Sequence, residues 1–288
     1  MYALLTLSLV LLAPAPGPAP LKWKLEKGTT FYSKTTIALK QTVTVMGQDK
    51  EQEQDQVSCN KFKVIAADEK GYTIEQTIEK SDIKGNLPGA AEVAKKMNGI
   101  VLTYTLNDKF EVKKVNGIDD LLDKLAGDNA AARKVMASML TEEQFAVGIA
   151  EFFRTAPDKP VRVKDTWKRE FKYPLGGGLG SLKMDNEYKF AKSDDSGDTV
   201  TWSATTKYEV GEGGGDLPFT FTGGELTAEE FTGDYVFDSK LGRVKSNSSQ
   251  AKINGTLTIS VQGTEIEMKI KQNIKTTCTF SDKTFADD

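Results

Sequence analysis

The sequence predicts a mainly β protein of the α+β kind: long, bent antiparallel sheets in two similar halves, with a two- to three-helix insert between them. Three observations carry this. Apolar and polar residues alternate over stretches far longer than an ordinary strand of 5–6 residues. The alternation breaks once, near the middle, for residues at helical spacing. The motif spacing seen before the break returns after it.

From Thr29 the period is two: Phe31, Ile37, Leu39, Val43 and Val45 share one parity, Lys34, Lys40 and Thr42 the other. Met46-Gly47-Gln48-Asp49 reads as a hairpin turn. The returning strand runs from Gln52 to Ala67, with Val57 and Cys59 in one phase and Phe62 and Val64 in the other. That slip predicts a bulge near Asn60. Asp68-Glu69-Lys70-Gly71 is a turn into Tyr72, Ile74 and Ile78. Ile100, Leu102, Tyr104 and Leu106 form a further strand, and Lys109 to Val115 pairs back across Asn107-Asp108.

The period then becomes helical at Ile118, Leu121, Leu122 and Leu125, and Ala130 to Leu140 is rich in helix formers. Thr141-Glu142-Glu143-Gln144 is a capping box. It opens a helix carrying Phe145, Ile149, Phe152 and Phe153 on one stripe, closed by Pro157 and Pro160. Strands resume with Trp167, Phe171, Tyr173 and Leu175, then Leu182, Met184, Tyr188 and Phe190, then Val200, Trp202, Ala204 and Tyr208. Phe219, Phe221, Tyr235 and Phe237 precede a closing hairpin. There Ala251, Ile253, Leu257, Ile259 and Val261 face Ile266, Met268, Ile270, Ile274, Cys278 and Phe280.

Phe62-x-Val64, Asp68 and Gly71-x-Thr73-Ile74 recur as Tyr188-x-Phe190, Asp194 and Gly197-x-Thr199-Val200, at a constant offset of 188 − 62 = 126. Thr30-Phe31 echoes Thr166-Trp167, and Tyr104-x-Leu106 echoes Tyr235-x-Phe237. The expected organisation is residues 1–20 as a leader, 21–117 as a first β half, 118–157 as a helical insert, 158–283 as a second β half and 284–288 as a tail.

The 288 residues carry 38 Lys+Arg against 41 Asp+Glu, a net charge of −3, and no histidine. Ser-His-Asp and Cys-His catalysis, histidine metal sites and a histidine pH switch are thereby excluded. The mild acidity argues against a nucleic-acid partner. Ala3 to Leu12 is an unbroken apolar run, too short to span a bilayer and of the length of a signal-peptide core. Four prolines between Pro14 and Pro20 prevent helix beyond it. This predicts an exported protein of the periplasm, cell envelope or extracellular space, touching membrane only through that segment if it is retained.

Few segments carry chemistry. Gly176–Gly180 lacks the Lys-Ser/Thr of a phosphate loop and reads as a hairpin connection, as does Gly211–Gly215. Ser193–Asp198 lacks the distal Glu of a calcium loop and reads as a turn. Glu51–Gln56 is a charged hairpin rim. No metal or cofactor site and no catalytic residue is nominated, and an enzyme is not expected. Cys59 and Cys278, the sole cysteines, leave two readings open, a disulfide or two buried thiols. Phe31, Phe62, Tyr104, Phe145, Ile149, Phe152, Trp167, Phe171, Tyr188, Trp202, Phe219 and Phe221 are either ordinary core or the lining of an apolar-ligand cavity.

Leu21-Lys22-Trp23-Lys24, the strand Thr42 to Gln48, the segment Pro160 to Trp167 and Leu217-Pro218-Phe219 resemble an uncharacterised family of secreted bacterial β-rich proteins. The resemblance runs from about Leu21 to Phe280 and implies export, with no activity attached. A weaker architectural likeness is to periplasmic lipoprotein carriers and mycobacterial-type lipid carriers, whose bent sheets are plugged by helices. Two functions follow as expectations: an exported, non-enzymatic envelope protein holding a lipid or other apolar small molecule against a curved sheet, or a module binding an envelope protein through sheet faces or edges. A carboxylate-based hydrolase stands third.

Overall fold

A computed structural model describes residues 19–211, 217 and 219–286. The Ala3–Leu12 segment and most of Gly211–Gly215 lie outside these residues. Strands β1 (Thr30–Val45), β2 (Gln48–Asp68) and β3 (Gly71–Gly85) form a long meander. Helix α1 (Ala90–Met97) follows, then the short strands β4 (Val101–Asn107) and β5 (Val112–Asn116). Three helices come next: α2 (Ile118–Ala126), α3 (Ala130–Met139) and α4 (Glu142–Arg154). Strands β6 (Thr166–Leu175), β7 (Gly180–Asp194), β8 (Gly197–Val210), β9 (Thr220–Asp238), β10 (Arg243–Val261) and β11 (Thr264–Ser281) complete the chain.

The two halves merge into one antiparallel sheet of eleven strands, in the order β5-β4-β3-β2-β1-β11-β10-β9-β8-β7-β6. The first and last strands pair along their whole lengths, from Tyr32↔Ser281 to Val45↔Met268, and weld the halves together. Helix α1 falls in residues 86–99, to which the sequence pattern assigned no element. The insert holds three helices, and Thr141 and Gln144 form the expected capping box.

The repeated motif has a structural counterpart. The β2–β3 register slips between Val64 and Ala66, and the β7–β8 register slips between Phe190 and Lys192, 126 residues later. A second slip, between Cys59 and Asn60, fulfils the expected irregularity, with Glu79 of β3 as the extra residue. Gly71 and Gly197 open β3 and β8 with φ of 142° and 127°. A Cβ on them would meet the Leu106 and Phe237 carbonyl oxygens at 2.0 and 2.8 Å. Only glycine fits where the next strand approaches this closely.

The sheet's edges, β5 and β6, do not pair with each other, and α4 packs against both. Phe152 of α4 also stacks on Phe62 at 5.9 Å and lies 5.2 Å from Phe280, in the middle of the sheet. A helix touching both edges and the centre requires a sheet curled around it. Trp23, on the segment before β1, closes the end of the curl, with ring centroids 4.9 Å from Phe153 and 5.2 Å from Phe152.

Phe153 is fully buried and packs on Trp23, Phe110 and Phe152. Phe153→Ala is expected to cost about 3–5 kcal/mol. Urea denaturation would show this as a lower midpoint with an unchanged slope.

Candidate functional site

Odd-numbered residues of β1 face the helices, and the register carries this face across the sheet. At the helix-covered end it holds Phe31, Phe62 and Phe280, a solid aromatic core. The apolar pattern continues past the helices. Successive cross-strand rows are Leu39–Ile274–Ala251, Gln41–Gln272–Ile253, Val43–Ile270–Gly255 and Val45–Met268–Leu257. Most of these side chains are half-exposed. Gln272 Nε2 donates to Gln41 Oε1 at 2.7 Å. The opposite face of the same strands carries Lys40–Asn273–Lys252, Thr42–Lys271–Asn254 and Thr44–Lys269–Thr256. On β1, β11 and β10 the concave side thus forms an open apolar trough, bordered on β2 by Gln54, Gln52, Lys50 and Gln48, and the convex side is polar.

A cavity of ≈ 300 Å³ lies where the helices end and the trough begins. Gly148, Glu151, Phe152 and Thr155 border it from α4 and its C-terminal end. Asn186 and Tyr188 of β7, Trp202 of β8, Phe231 and Tyr235 of β9, Val244, Asn247 and Ser249 of β10 and Thr276 of β11 supply the remaining wall. The aromatic rings support one another: Tyr188–Trp202 and Tyr188–Tyr235 centroids are each 6.4 Å apart, and Trp202–Phe231 are 5.3 Å apart.

Glu151 is the one charged residue in this lining. Among the described residues it has no ion-pair or hydrogen-bond partner, and desolvation by the surrounding protein raises its pKa from 4.5 to about 7. Burial likewise pushes Tyr188 up to about 12 and Tyr235 higher still. Asn186 is 2% exposed. Its Nδ2 donates to the Tyr188 hydroxyl at 3.1 Å, while its Oδ1 has no partner among the described residues. A second cleft, of ≈ 550 Å³, is rimmed by Lys22, Asp108, Lys109, Glu111, Arg154 and Asp158, charges of both signs.

Of the aromatic and aliphatic residues singled out in the sequence, Phe152, Tyr188 and Trp202 border the cavity. Phe31, Phe62 and Ile149 are packed core, and Phe145 lies against it. Tyr104 is buried and donates to Gln76 Oε1 at 2.9 Å. Trp167 stacks behind Tyr188 at 5.5 Å, and Phe171 lies beneath the Arg154 guanidinium at 6.0 Å. Phe219 and Phe221 pair edge to face at 5.4 Å beside the far part of the trough. Glu151, Asn186, Phe231 and Tyr235 were not singled out. Asn186 had a readable signal: it interrupts the inward phase of Met184, Tyr188 and Phe190.

The expected alternative of a Cys59–Cys278 disulfide is not realised; neither cysteine is bridged. Lys34 of β1 is paired with Cys59 and the adjacent Thr35 with Cys278, so the thiols project to opposite faces of the sheet. Cys59 donates to the Phe285 carbonyl at 3.6 Å from the convex side, and Cys278 accepts from Thr35 Oγ1 at 3.3 Å on the concave side. Among the described residues no group of His, Cys, Asp or Glu could hold a metal ion.

Two outcomes follow. Alkylation after unfolding without reductant is expected to add two groups to the intact mass, one per cysteine; a mass lacking both would indicate the bridge. The raised Glu151 pKa means the folded state keeps a proton that the unfolded chain releases between about pH 4.5 and 7. The associated stability is complete below that window and is lost as pH rises through it. Glu151→Gln is therefore expected to raise Tm over wild type at about pH 8 and to lose that advantage at about pH 4. A Tm difference independent of pH would contradict the assignment.

No curated protein matches the sequence. Among solved structures, the fold is similar to that in a study of lipid–protein interactions in lipovitellin, at a TM-score of 0.50 and 8% identity. That match covers 90% of this chain and 25% of lipovitellin, so the chain spans about a quarter of that protein's length. An outer membrane channel from Pseudomonas putida F1 is 7% identical, with coverages of 92% and 100% and a TM-score of 0.23. DynF from the dynemicin biosynthesis pathway of Micromonospora chersina is 8% identical, with coverages of 92% and 85% and a TM-score of 0.20. A family model matches residues 56–223, more than half of the chain and reaching from β2 through the helical insert to β9. The chain belongs to this group, the Family of unknown function (DUF6263).

Proposed function

We propose that this chain is an exported, non-enzymatic binding protein that holds the alkyl part of a lipid-like ligand in the trough. The observation that carries the reading is the apolar concave face beyond the helices, from Leu39–Ile274–Ala251 to Val45–Met268–Leu257. These four rows span six residue steps, about 20 Å at the strand rise. An extended alkyl chain suits a long, narrow strip of half-exposed aliphatic side chains. The polar convex face, with Lys252, Lys269 and Lys271, keeps the outside hydrated. Lipovitellin, the fold neighbour, is described for its interactions with lipid. The export half of the reading rests on the apolar Ala3–Leu12 run. No catalytic step is assigned to Glu151, which lacks a second carboxylate in its cavity.

Titration with a fluorescent fatty-acyl probe tests the trough. Saturable binding is expected, weakened about tenfold or more by Ile270→Asp, which places a charge on the trough floor. Lys271→Asp, on the convex face of the same strand, should leave affinity little changed. Equal losses in the two variants, or no binding by wild type, would overturn the proposal.

A further inference from the structure

Comparison of the two halves shows where the cavity departs from its own repeat. In the first half the polar groups close on one another. Tyr104 donates to Gln76 Oε1 at 2.9 Å, Gln76 Nε2 donates to Asn60 Oδ1 at 2.9 Å, and Asn60 Nδ2 donates to Ser58 at 3.1 Å. At the 126-residue offset Asn60 becomes Asn186, and Gln76 becomes Trp202. The registers agree: Phe62 pairs with Gln76, and Tyr188 pairs with Trp202. The amide that satisfies Asn60 is thus replaced by an indole, and Asn186 Oδ1 is left buried without a partner beside an open cavity. A buried acceptor costs free energy until a donor reaches it.

Glu151 approaches the same cavity from α4, and Tyr188, Trp202, Phe231 and Tyr235 wall it. There is no Lys or Arg in the lining. Two acceptors, a single negative charge and four aromatic rings describe a receptor for a cation with an apolar shell. We propose that the cavity between α4 and strands β7–β10 binds the organic ammonium headgroup of the ligand, with Glu151 as counter-ion and the aromatic rings as its cage. Primary and secondary ammonium groups would also donate to Asn186 Oδ1. The inference rests on the trough reading for the alkyl part. Ser249 and Thr276 in the cavity wall pair with each other on β10 and β11, next to the Ala251–Ile274 row that begins the trough, so head and chain would bind continuously.

The other ionisable groups facing Glu151 are accounted for. Tyr173 of β6, Tyr188 and Tyr235 are held neutral by burial, and Arg169 of β6 is engaged by Asp158 at 2.8 Å and by the Arg154 and Ala156 carbonyls. No titratable side chain of β10 or β11 lines the cavity. Glu151 is therefore the group that titrates between about pH 5 and 9, and a bound cation favours its ionised form.

Isothermal titration calorimetry on the full chain tests the inference with three probes: dodecyltrimethylammonium, dodecanol and benzyltrimethylammonium, each below its aggregation concentration. At about pH 8 the long-chain ammonium is expected to bind about tenfold or more tighter than dodecanol. The preference should shrink as pH falls below about 7 and should vanish in Glu151→Gln. The pH series on wild type stands even if the variant does not fold, and Trp202→Leu provides a second route by removing one wall of the cage. Equal binding of ammonium and alcohol overturns the headgroup inference and leaves the trough intact. Glu151-dependent binding of benzyltrimethylammonium without binding of either long-chain probe overturns the trough and keeps the cavity. No binding by any probe overturns both.

Discussion

The structure depends on one contact, the wedge of α4 into an unclosed sheet. Eleven antiparallel strands twist and curl, yet β5 and β6 never meet to form a barrel. Left alone, such a sheet would present two unpaired edges and an apolar face wide enough to associate with other chains. Helix α4 touches both edges, and Phe152 and Phe153 reach the aromatic residues at the sheet's centre and the Trp23 plug. Curvature, edge protection and core packing are thus supplied by thirteen residues of helix. Because α4 is short, it fills only one end of the curl, and the trough is what remains.

The correspondence between the two halves shows why the cavity is on one side only. The matched register slips after Val64 and Phe190, and the matched glycines at 71 and 197, place equivalent side chains at equivalent depths. One copy closes its polar groups into the Ser58–Asn60–Gln76–Tyr104 chain of hydrogen bonds. The other exchanges the glutamine for Trp202, and Tyr235 donates instead to the Thr155 carbonyl at the end of α4. A repeated fold offers a control within one molecule: the first half shows how this environment is satisfied when it serves packing alone.

Much of this was legible because strands encode their faces with period two. The parity of Phe31, Leu39, Val43 and Val45 gave the concave face directly, and the 126-residue echo located equivalent strands before any pairing was known. The capping box at Thr141 placed the start of α4. Pairing between β1 and β11 was not legible, since the partners are more than 200 residues apart and any long amphipathic strand would serve as a mate. Helix α1 was missed because its eight residues are too few to establish a period. Glu151 was invisible among 41 acidic residues, because what distinguishes it is the wall around it and not its neighbours in sequence. The two cysteines looked alike as apolar-strand residues. Their placement on opposite faces needed the register of β1 against both partners.

The direction of the sheet's amphipathy constrains what the trough can meet. A membrane-spanning barrel turns its apolar side chains outward to lipid and its polar ones inward. Here the apolar rows share the face that α4 fills, and Lys40, Lys252, Lys269, Lys271 and Lys275 project from the other side. Burying that convex face in hydrocarbon would cost several kcal/mol for each charge near the midplane. The proposed function therefore puts apolar matter within the curl, where the half-exposed aliphatic rows offer dispersion contacts without a fixed shape. In the same reading, polar recognition falls at the one end where Glu151 of α4 and Asn186 line a common cavity. In the proposed reading such a division would make the chain-binding surface tolerant and the headgroup cavity selective, since an alkyl chain asks only for area while an ammonium asks for a charge and rings in fixed positions.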